Sequence, residues 1–214
     1  MSSTLPLLIV FGAGGHGRVA ADAALASRRW RMVVASDRRA ELWGSELLPG
    51  VKILAPEQLA DLPGPLQLHV AIGANPARQR EAQQLRQELP GAELVSIVHP
   101  QAAVAPSSVI GAGCLIAAMA VLAPLARLGQ GVIVNHGAVV DHDCQVGDWS
   151  HLAPGCRLGG GAEIGARALL GANSTLLPLL RAGDDVLLGA GAVATHHLEP
   201  GSRWAGVPAR RLDT

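Results

Sequence analysis

From position 98 to position 188 the chain repeats a hydrophobic pattern every six residues. Fifteen of the sixteen residues in this register are Leu, Ile or Val, and Ala182 is the exception. Glycine often follows directly, as at Gly147 and Gly165, and the residue four positions past the aliphatic one is Ala, Ser or Cys in thirteen of the sixteen hexads. A period of six fits neither the helical period of about 3.6 nor the strand period of about 2. It is typical of a β-helix in which a short strand and a tight turn alternate.

The spacing also predicts how the coils of this β-helix stack. The aliphatic and the small residue of each hexad point into a prism-shaped core, the small one near a corner. Three hexads close one coil, so residues eighteen apart lie above one another and each coil hydrogen-bonds to the next. All three cysteines, Cys114, Cys144 and Cys156, occupy the small inward position. We therefore expect them to be buried structural residues rather than nucleophiles or metal ligands.

The first hundred residues carry a different pattern, in which short apolar runs alternate with helical segments. We predict strands over 5–11, 31–36, 66–72 and 93–98, and helices over 19–25, 56–62 and 77–89. Asn75 is predicted to cap the last helix, with Pro76 at its first position. This alternation indicates a small parallel α/β sheet. The change of period near His99 and Pro100 divides the chain into domains 1–99 and 100–214, and after Leu188 the six-residue register fades toward a C-terminal tail.

Composition and charge exclude several classes of function. The chain has 214 residues and equal numbers of acidic and basic residues, 17 of each. This balance argues against binding nucleic acid or an anionic membrane over the whole surface. No basic segment followed by an apolar run marks a signal peptide, and no run of about 18 apolar residues marks a membrane span. We expect a cytoplasmic protein.

A glycine motif, Gly12-x-Gly14-x-x-Gly17, lies between the first predicted strand and helix, as in dinucleotide-binding domains. Asp37 ends the second strand, where such domains place an acid that binds ribose. About 95 residues precede the β-helix, however, which is enough for only one mononucleotide-binding half. We therefore favour the nucleotide part of a substrate, held by backbone amides at a helix N-terminus, over NAD or a plain packing turn. Arg38 or Arg39 could pair with phosphate, stack on a base, or be ordinary surface arginines.

His142 is the candidate catalytic residue of the β-helix. It lies two residues past Val140, on a turn, between Asp141 and Asp143. Eighteen residues on, the stretch 159–161 is Gly-Gly-Gly, which clears a hollow and exposes backbone amides. A histidine oriented by a carboxylate is a suitable general base, whereas the alternative is a solvated turn histidine.

The other histidines carry weaker signals. His69 follows a strand pattern, so we interpret it as structural. A zinc site would need three convergent ligands. His136 and His142 occupy different corners of one coil and could converge only through a neighbouring subunit, so we expect no metal.

The chain resembles a known group, the bacterial sugar-nucleotide N-acetyltransferases. This group includes the bacillosamine-pathway and perosamine enzymes and is related to sialic acid O-acetyltransferase. The resemblance covers nearly the whole chain and depends on six short motifs: 11–17 (Phe-Gly-Ala-Gly-Gly-His-Gly), 71–75 (Ala-Ile-Gly-Ala-Asn), 134–135 (Val-Asn), 139–144 (Val-Val-Asp-His-Asp-Cys), 150–151 (Ser-His) and 206–209 (Gly-Val-Pro-Ala).

The resemblance implies a fold and a reaction. The fold would be a half-Rossmann α/β domain that binds a nucleotide-linked amino sugar, followed by a left-handed β-helix that binds acetyl-CoA. The reaction would be acetylation of the 4-amino group of a nucleotide-linked 4-amino-4,6-dideoxy sugar, directly and without an acyl-enzyme. An O-acetyltransferase and a catalytically silent nucleotide-binding module are the alternatives.

The resemblance also implies roles for individual residues. It makes His142 the general base, Asp143 the acid that orients it, and Asn135 a contact to the sugar. Such enzymes are homotrimers with active sites between adjacent β-helices, and we expect the same here. The nucleotide would be held by Gly12, Gly14, Gly15, His16, Asp37 and Arg38, and acetyl-CoA by His151, Gly160, Ala172 and Ala190.

Overall fold

A computed structural model describes residues 5–212 of the chain. The described residues fall into two compact units, and the division comes after Pro100. Within the described residues, no helix has the length and apolar character needed to cross a membrane.

The first unit is a parallel sheet with two helices. Its elements are β1 (Leu7–Phe11), α1 (Gly15–Ser27), β2 (Met32–Ser36), β3 (Glu46–Leu48), β4 (Val51–Leu54), β5 (Leu66–Val70), α2 (Asn75–Glu88), β6 (Glu93–Leu94) and β7 (Ile97–Val98), with single 3-10 turns at Ala40–Leu42 and Pro56–Gln58. The strand order is β3-β4-β2-β1-β5-β6, and only the β3–β4 pair is antiparallel. All five residues of β1 are buried because this strand lies in the middle of the sheet.

Several local expectations for this unit need correction. The predicted helix over 56–62 is only a 3-10 turn, Pro56–Gln58, and the β3–β4 hairpin before it was not predicted. The predicted strand 93–98 is two short strands. Asn75 is not the N-cap of α2: Ala74 has the extended cap conformation, and the Asn75 side chain accepts a hydrogen bond from Arg78 Nη2 at 2.9 Å. Its carboxamide oxygen is therefore bonded to Arg78 within the first turn of α2 and does not cap the helix.

The second unit is the expected left-handed parallel β-helix. Its strands are β8 (Ala103–Val104), β9 (Val109–Ile110), β10 (Leu115–Ile116), β11 (Val121–Leu122), β12 (Arg127–Leu128), β13 (Ile133–Val134), β14 (Val139–Val140), β15 (Gln145–Val146), β16 (His151–Leu152), β17 (Arg157–Leu158), β18 (Glu163–Ile164), β19 (Leu169–Leu170), β20 (Thr175–Leu176), β21 (Arg181–Ala182), β22 (Leu187–Leu188), β23 (Val193–Ala194), β24 (Arg203–Ala205) and β25 (Arg210–Arg211). Strand β23 extends the register one hexad past Leu188, where we had expected it to fade.

Three parallel sheets form the faces of the prism. The first face contains β8, β11, β14, β17, β20 and β23, the second contains β9, β12, β15, β18 and β21, and the third contains β10, β13, β16, β19, β22 and β24, with β25 antiparallel at its end. Val140 pairs with Leu158 across the first face, which confirms the predicted stacking of residues eighteen apart.

The core of the prism follows the hexad rule. Aliphatic residues of the central coils, such as Val140 and Leu158, are buried, and so are the small residues at the corners. Cys114, Cys144 and Cys156 are fully buried free thiols, and burial raises the pKa of Cys156 to about 11. A thiol with that pKa is not ionised at neutral pH, which supports the structural interpretation of the cysteines.

Candidate active site

His142 and Asp143 form a hydrogen-bonded pair at the corner that joins β14 to β15. Asp143 has a left-handed backbone with φ of 59°, and its Oδ2 lies 2.8 Å from His142 Nδ1. The His142 side chain is 60 % exposed. The hydrogen bond to Asp143, together with the charge of Asp141, raises the pKa of the His142 imidazole above its ordinary value. In the neutral imidazole, the carboxylate keeps the proton on Nδ1 and leaves the lone pair of Nε2 for a substrate.

Gly160 provides the surface beneath that lone pair. A Cβ on Gly160 would lie 2.5 Å from His142 Nε2 and 2.6 Å from Cε1, so the ring lies directly over this glycine. The next residue, Gly161, donates its N–H to the His142 carbonyl oxygen at 2.9 Å. The predicted stacking of His142 on the triglycine is therefore present.

The Gly160 N–H has no acceptor within residues 5–212. At the equivalent turn position of another corner, the Gln130 N–H donates to Asp148 Oδ1 at 2.8 Å, and the Ala166 N–H donates to Asp184 Oδ1 at 2.8 Å. Above Gly160 the equivalent residue is Pro178, which has no side-chain acceptor. The residue that lies under the His142 ring therefore has a backbone donor available, which could stabilise a developing oxyanion.

A second polar pair, Asn135 and His151, lies on another edge of the prism. Asn135 follows β13 and is buried, and its Oδ1 accepts the His136 N–H at 2.9 Å. Its Nδ2 lies 3.2 Å from His151 Nε2. Because the amide nitrogen can only donate, Nε2 of His151 must accept, and its proton is then on Nδ1. The resemblance assigns Asn135 to the sugar and His151 to acetyl-CoA, and in the structure their side chains lie within hydrogen-bonding distance of each other.

The residues expected to bind acetyl-CoA are distributed over two edges. Ala172 and Ala190 stack one coil apart, and Ala172 accepts a hydrogen bond from the Gly191 N–H at 2.8 Å. They belong to the same edge as Asn135, between the third and the first face. Gly160 belongs to the edge of His142, between the first and the second face. Within one chain, the first face separates the catalytic pair from Asn135.

The glycine loop of the first unit is shaped by close backbone approaches. Gly12 has φ of 110°, and a Cβ there would lie 2.7 Å from the Ala71 carbonyl oxygen. A Cβ on Gly17 would overlap the Gly12 carbonyl oxygen. Gly14 and Gly15, in contrast, have no atom within 4 Å of their Cβ positions. Since α1 begins at Gly15, this open stretch presents a helix N-terminus to a ligand, and the half-buried His16 lies in its first turn.

Asp37 fixes this loop from the end of β2. Its Oδ2 accepts the Ala13 N–H at 2.7 Å, and the Arg39 guanidinium donates to Oδ1 at 2.9 Å and to Oδ2 at 3.0 Å. Burial would raise the pKa of Asp37, but the hydrogen bonds from Arg39 and Ala13 outweigh it and lower that pKa. Asp37 therefore already has a structural role in holding the glycine loop, which sequence analysis did not identify.

Arg38 extends toward helix α2. Its Nη2 lies 2.8 Å from both Glu81 Oε1 and Glu88 Oε2, and its guanidinium carbon lies 5.1 Å from the centre of the Phe11 ring. Arg39 pairs with Asp37, the residue that accepts a hydrogen bond from the glycine loop. The nucleotide contact expected of Arg38 remains a prediction.

The remaining histidines have no arrangement suited to a metal. Within the described part of the chain, no group of three or more His, Cys, Asp or Glu side chains could hold a metal ion. His69 is fully buried, its Nδ1 lies 3.2 Å from the Val95 carbonyl oxygen, and burial lowers its pKa to about 4. It is therefore a neutral core residue, as predicted.

Two family models match the chain. Residues 7–85 match the PglD N-terminal domain, and residues 126–160 match the bacterial transferase hexapeptide (six repeats). No curated protein matches the chain by sequence.

Solved structures resemble the chain over nearly its whole length. The acetyltransferase domain of PglB from Neisseria gonorrhoeae FA1090, in complex with acetyl coenzyme A, is 35 % identical with a TM-score of 0.88, covering 96 % of this chain and 98 % of that chain. PerB from Caulobacter crescentus, in complex with CoA and GDP-perosamine, is 32 % identical with a TM-score of 0.86, covering 96 % and 97 %. WeeI from Acinetobacter baumannii AYE shares the fold at 23 % identity, with a TM-score of 0.85 and coverage of 96 % and 99 %.

These similarities agree with the residue motifs and with the two-part architecture. Two of the solved structures exceed 30 % identity and span nearly the entire chain. The chain belongs to the sugar N-acetyltransferases of the hexapeptide superfamily, and it is an acetyltransferase with acetyl-CoA as its co-substrate.

Proposed function

We propose that this enzyme transfers the acetyl group of acetyl-CoA to the 4-amino group of a nucleotide-linked 4-amino-4,6-dideoxy sugar, with His142 as general base. The observation that carries the proposal is the arrangement at one corner of the β-helix. His142 Nε2 lies over Gly160, and the Gly160 N–H has no acceptor in the described chain. A proton acceptor thus lies over a residue whose backbone N–H is open to a ligand, and aminolysis of a thioester requires both a proton acceptor and an oxyanion donor.

The proposed reaction proceeds without an acyl-enzyme. His142 Nε2 takes a proton from the sugar amine as the amine nitrogen attacks the thioester carbon. The carbonyl oxygen becomes an oxyanion and accepts the Gly160 N–H. The oxyanion then collapses, the carbon–sulfur bond breaks, and the protonated imidazole returns its proton to the thiolate of CoA. Asp143 stabilises the imidazolium in between. No cysteine takes part, because all three are buried in the prism.

The nucleotide is proposed to bind at the glycine loop. Gly14 and Gly15 leave the N-terminus of α1 open, and backbone N–H groups with a helix dipole favour a diphosphate. Gly12 and Asp37 shape the loop, while His16 lies in the first helical turn. PerB, the relative in complex with CoA and GDP-perosamine, supports a nucleotide sugar as the substrate class.

We also propose a homotrimer with active sites between adjacent β-helices. In one chain the His142 edge and the Asn135–His151 edge are separated by the first face of the prism. If one copy places its His142 edge beside the Asn135 edge of its neighbour, the two sets of residues converge. On this arrangement His151, Ala172 and Ala190 of one copy and Gly160 of the other would line the same acetyl-CoA groove.

The test is CoA release from acetyl-CoA with a panel of UDP-, GDP- and dTDP-linked 4-amino-6-deoxy sugars. The wild type should turn over one of them, and His142→Ala and His142→Asn should both lose about a hundredfold or more in rate, as expected for loss of a general base. The Asn variant is the stricter control, because its amide can still donate to Asp143 but cannot take a proton. Turnover only with hydroxyl acceptors, or a trapped acetyl-enzyme in mass spectrometry, would refute the proposal.

A further inference from the structure

Leu179 departs from the residue preference of its turn position, as Met119, Leu125, Trp149 and Arg167 also do. The third residue of most corners has a left-handed backbone, a conformation that favours Gly, Asn and Asp. Gly161 and Asp143 follow that preference one and two coils before it, with φ of 68° and 59°. Leu179 instead has φ of 61° and is 76 % exposed. A leucine here carries backbone strain and leaves apolar surface in water, and such a residue is a candidate for a functional contact.

The Leu179 side chain lies beside the proposed reaction centre. Its Cδ2 lies 2.8 Å from where a Cβ on Gly161 would be, so it leans back over Gly161 as the His142 ring lies over Gly160. The two glycines are adjacent in the chain. The His142 ring and the Leu179 side chain therefore lie over neighbouring glycines of one turn, and we call the exposed surface between these two side chains the hollow.

We infer that Leu179 is a specificity-determining residue that contacts the methyl group of the acetyl donor and excludes longer acyl chains. This inference rests on the proposed function. If the amine is held at His142 Nε2 and the carbonyl oxygen at the Gly160 N–H, the sulfur and the methyl group are the remaining substituents of the carbonyl carbon, and we place the methyl group in the hollow. The apolar wall of that hollow is Leu179, and a methyl group is the part of the donor that an apolar wall suits.

A closed wall of this kind sets a limit on acyl length. One extra methylene at a hydrophobic wall changes specificity by roughly 10–200-fold. The wild type should therefore prefer acetyl-CoA over propionyl-CoA by a kcat/KM ratio in that range. Leu179→Ala opens the wall, so the ratio should fall at least about tenfold, mainly through faster propionyl transfer. Leu179→Phe narrows the hollow and should reduce turnover even with acetyl-CoA.

Leu125 provides a matched control. It occupies the same turn position one coil before Asp143, with φ of 63° and 51 % exposure, but it lies on the other side of His142 from the hollow. Leu125→Ala should leave the acetyl-to-propionyl ratio unchanged. The oligomeric state of each variant, measured by light scattering, should match the wild type.

The outcomes separate this inference from the proposed function. If His142→Ala is inactive but the ratio is the same in Leu179→Ala as in the wild type, the role of Leu179 is refuted and the general base is retained. If Leu179→Ala changes the ratio only because the assembly dissociates, the residue belongs to a subunit interface and the inference is also refuted. If the ratio shifts in an intact assembly while His142→Ala keeps its full rate, Leu179 limits the acyl group but His142 is not the base.

Discussion

Replacing Gly160 with alanine tests whether catalysis depends on the position of the His142 imidazole, because the substitution leaves every other group of the proposed mechanism in place. The substitution keeps the Gly160 N–H, so the oxyanion donor remains. The new Cβ would lie 2.5 Å from His142 Nε2, whereas ordinary contacts begin at 3.4 Å. The ring must therefore retreat by about 1 Å, the difference between these two distances. Because the side chain is 60 % exposed, it can move without disturbing the core.

The expected result of Gly160→Ala is a loss of turnover with an intact fold. A misplacement of about 1 Å costs roughly a hundredfold in rate, which corresponds to about 2.7 kcal/mol of activation free energy. The assay is CoA release at saturating substrates, with the melting temperature measured on the same preparations. Gly91→Ala is the control, because a Cβ on Gly91 has no atom within 4 Å. A folded Gly160→Ala enzyme with the wild-type kcat would refute the idea that His142 acts from above Gly160.

Three further predictions concern charge, loop geometry and buried protonation. Asp143→Asn removes the main interaction that raises the pKa of His142, so the acidic limb of the kcat/KM profile should move to lower pH; an unmoved limb would assign it to another group. Gly17→Ala would overlap the Gly12 carbonyl oxygen, and the loss of loop hydrogen bonds should weaken nucleotide-sugar binding by about tenfold or more in calorimetry, with acetyl-CoA binding unchanged. Burial lowers the pKa of His69 from 6.5 to about 4, so the unfolded chain takes up this proton first as the pH falls. Stability should drop between pH 6.5 and 4 by up to about 3 kcal/mol, and urea unfolding of His69→Gln should lack this drop.

The β-helix was predictable because each hexad carries the same local pattern of aliphatic, glycine and small residues. An aliphatic residue every sixth position fixes which side chains point inward. Because three hexads close one coil, residues eighteen apart then stack, whatever their side chains are. This register alone placed Gly160 next to His142. The left-handed backbone of the third turn residue, where Leu179 lies, was not predicted.

The α/β unit was less predictable, because its short elements depend on partners distant in sequence. Strand β3 has only three residues and exists through its pairing with β4. The Pro56 segment has the sequence of a helix start, but a single turn is all that forms. Arg38 follows Asp37 directly and so suggested a nucleotide contact. That contact remains a prediction, whereas the pairing of Arg38 with Glu81 and Glu88 of helix α2, 43 and 50 residues away in the sequence, could not be foreseen.

Asp37 and His142 show which contacts could be predicted from the sequence and which could not. His142 and Asp143 are sequence neighbours on a turn, so their pairing could be inferred from adjacency, and the lone pair left on Nε2 indicated a base. Asp37 was expected to accept hydrogen bonds from ribose because of its place after β2. Both of its oxygens already accept hydrogen bonds, from the Ala13 N–H and from Arg39. A ribose hydroxyl could therefore reach this carboxylate only by displacing the guanidinium of Arg39, whose side chain is 53 % exposed. The same motif residue thus holds the loop in this structure, and a direct contact with the nucleotide would require Arg39 to leave it.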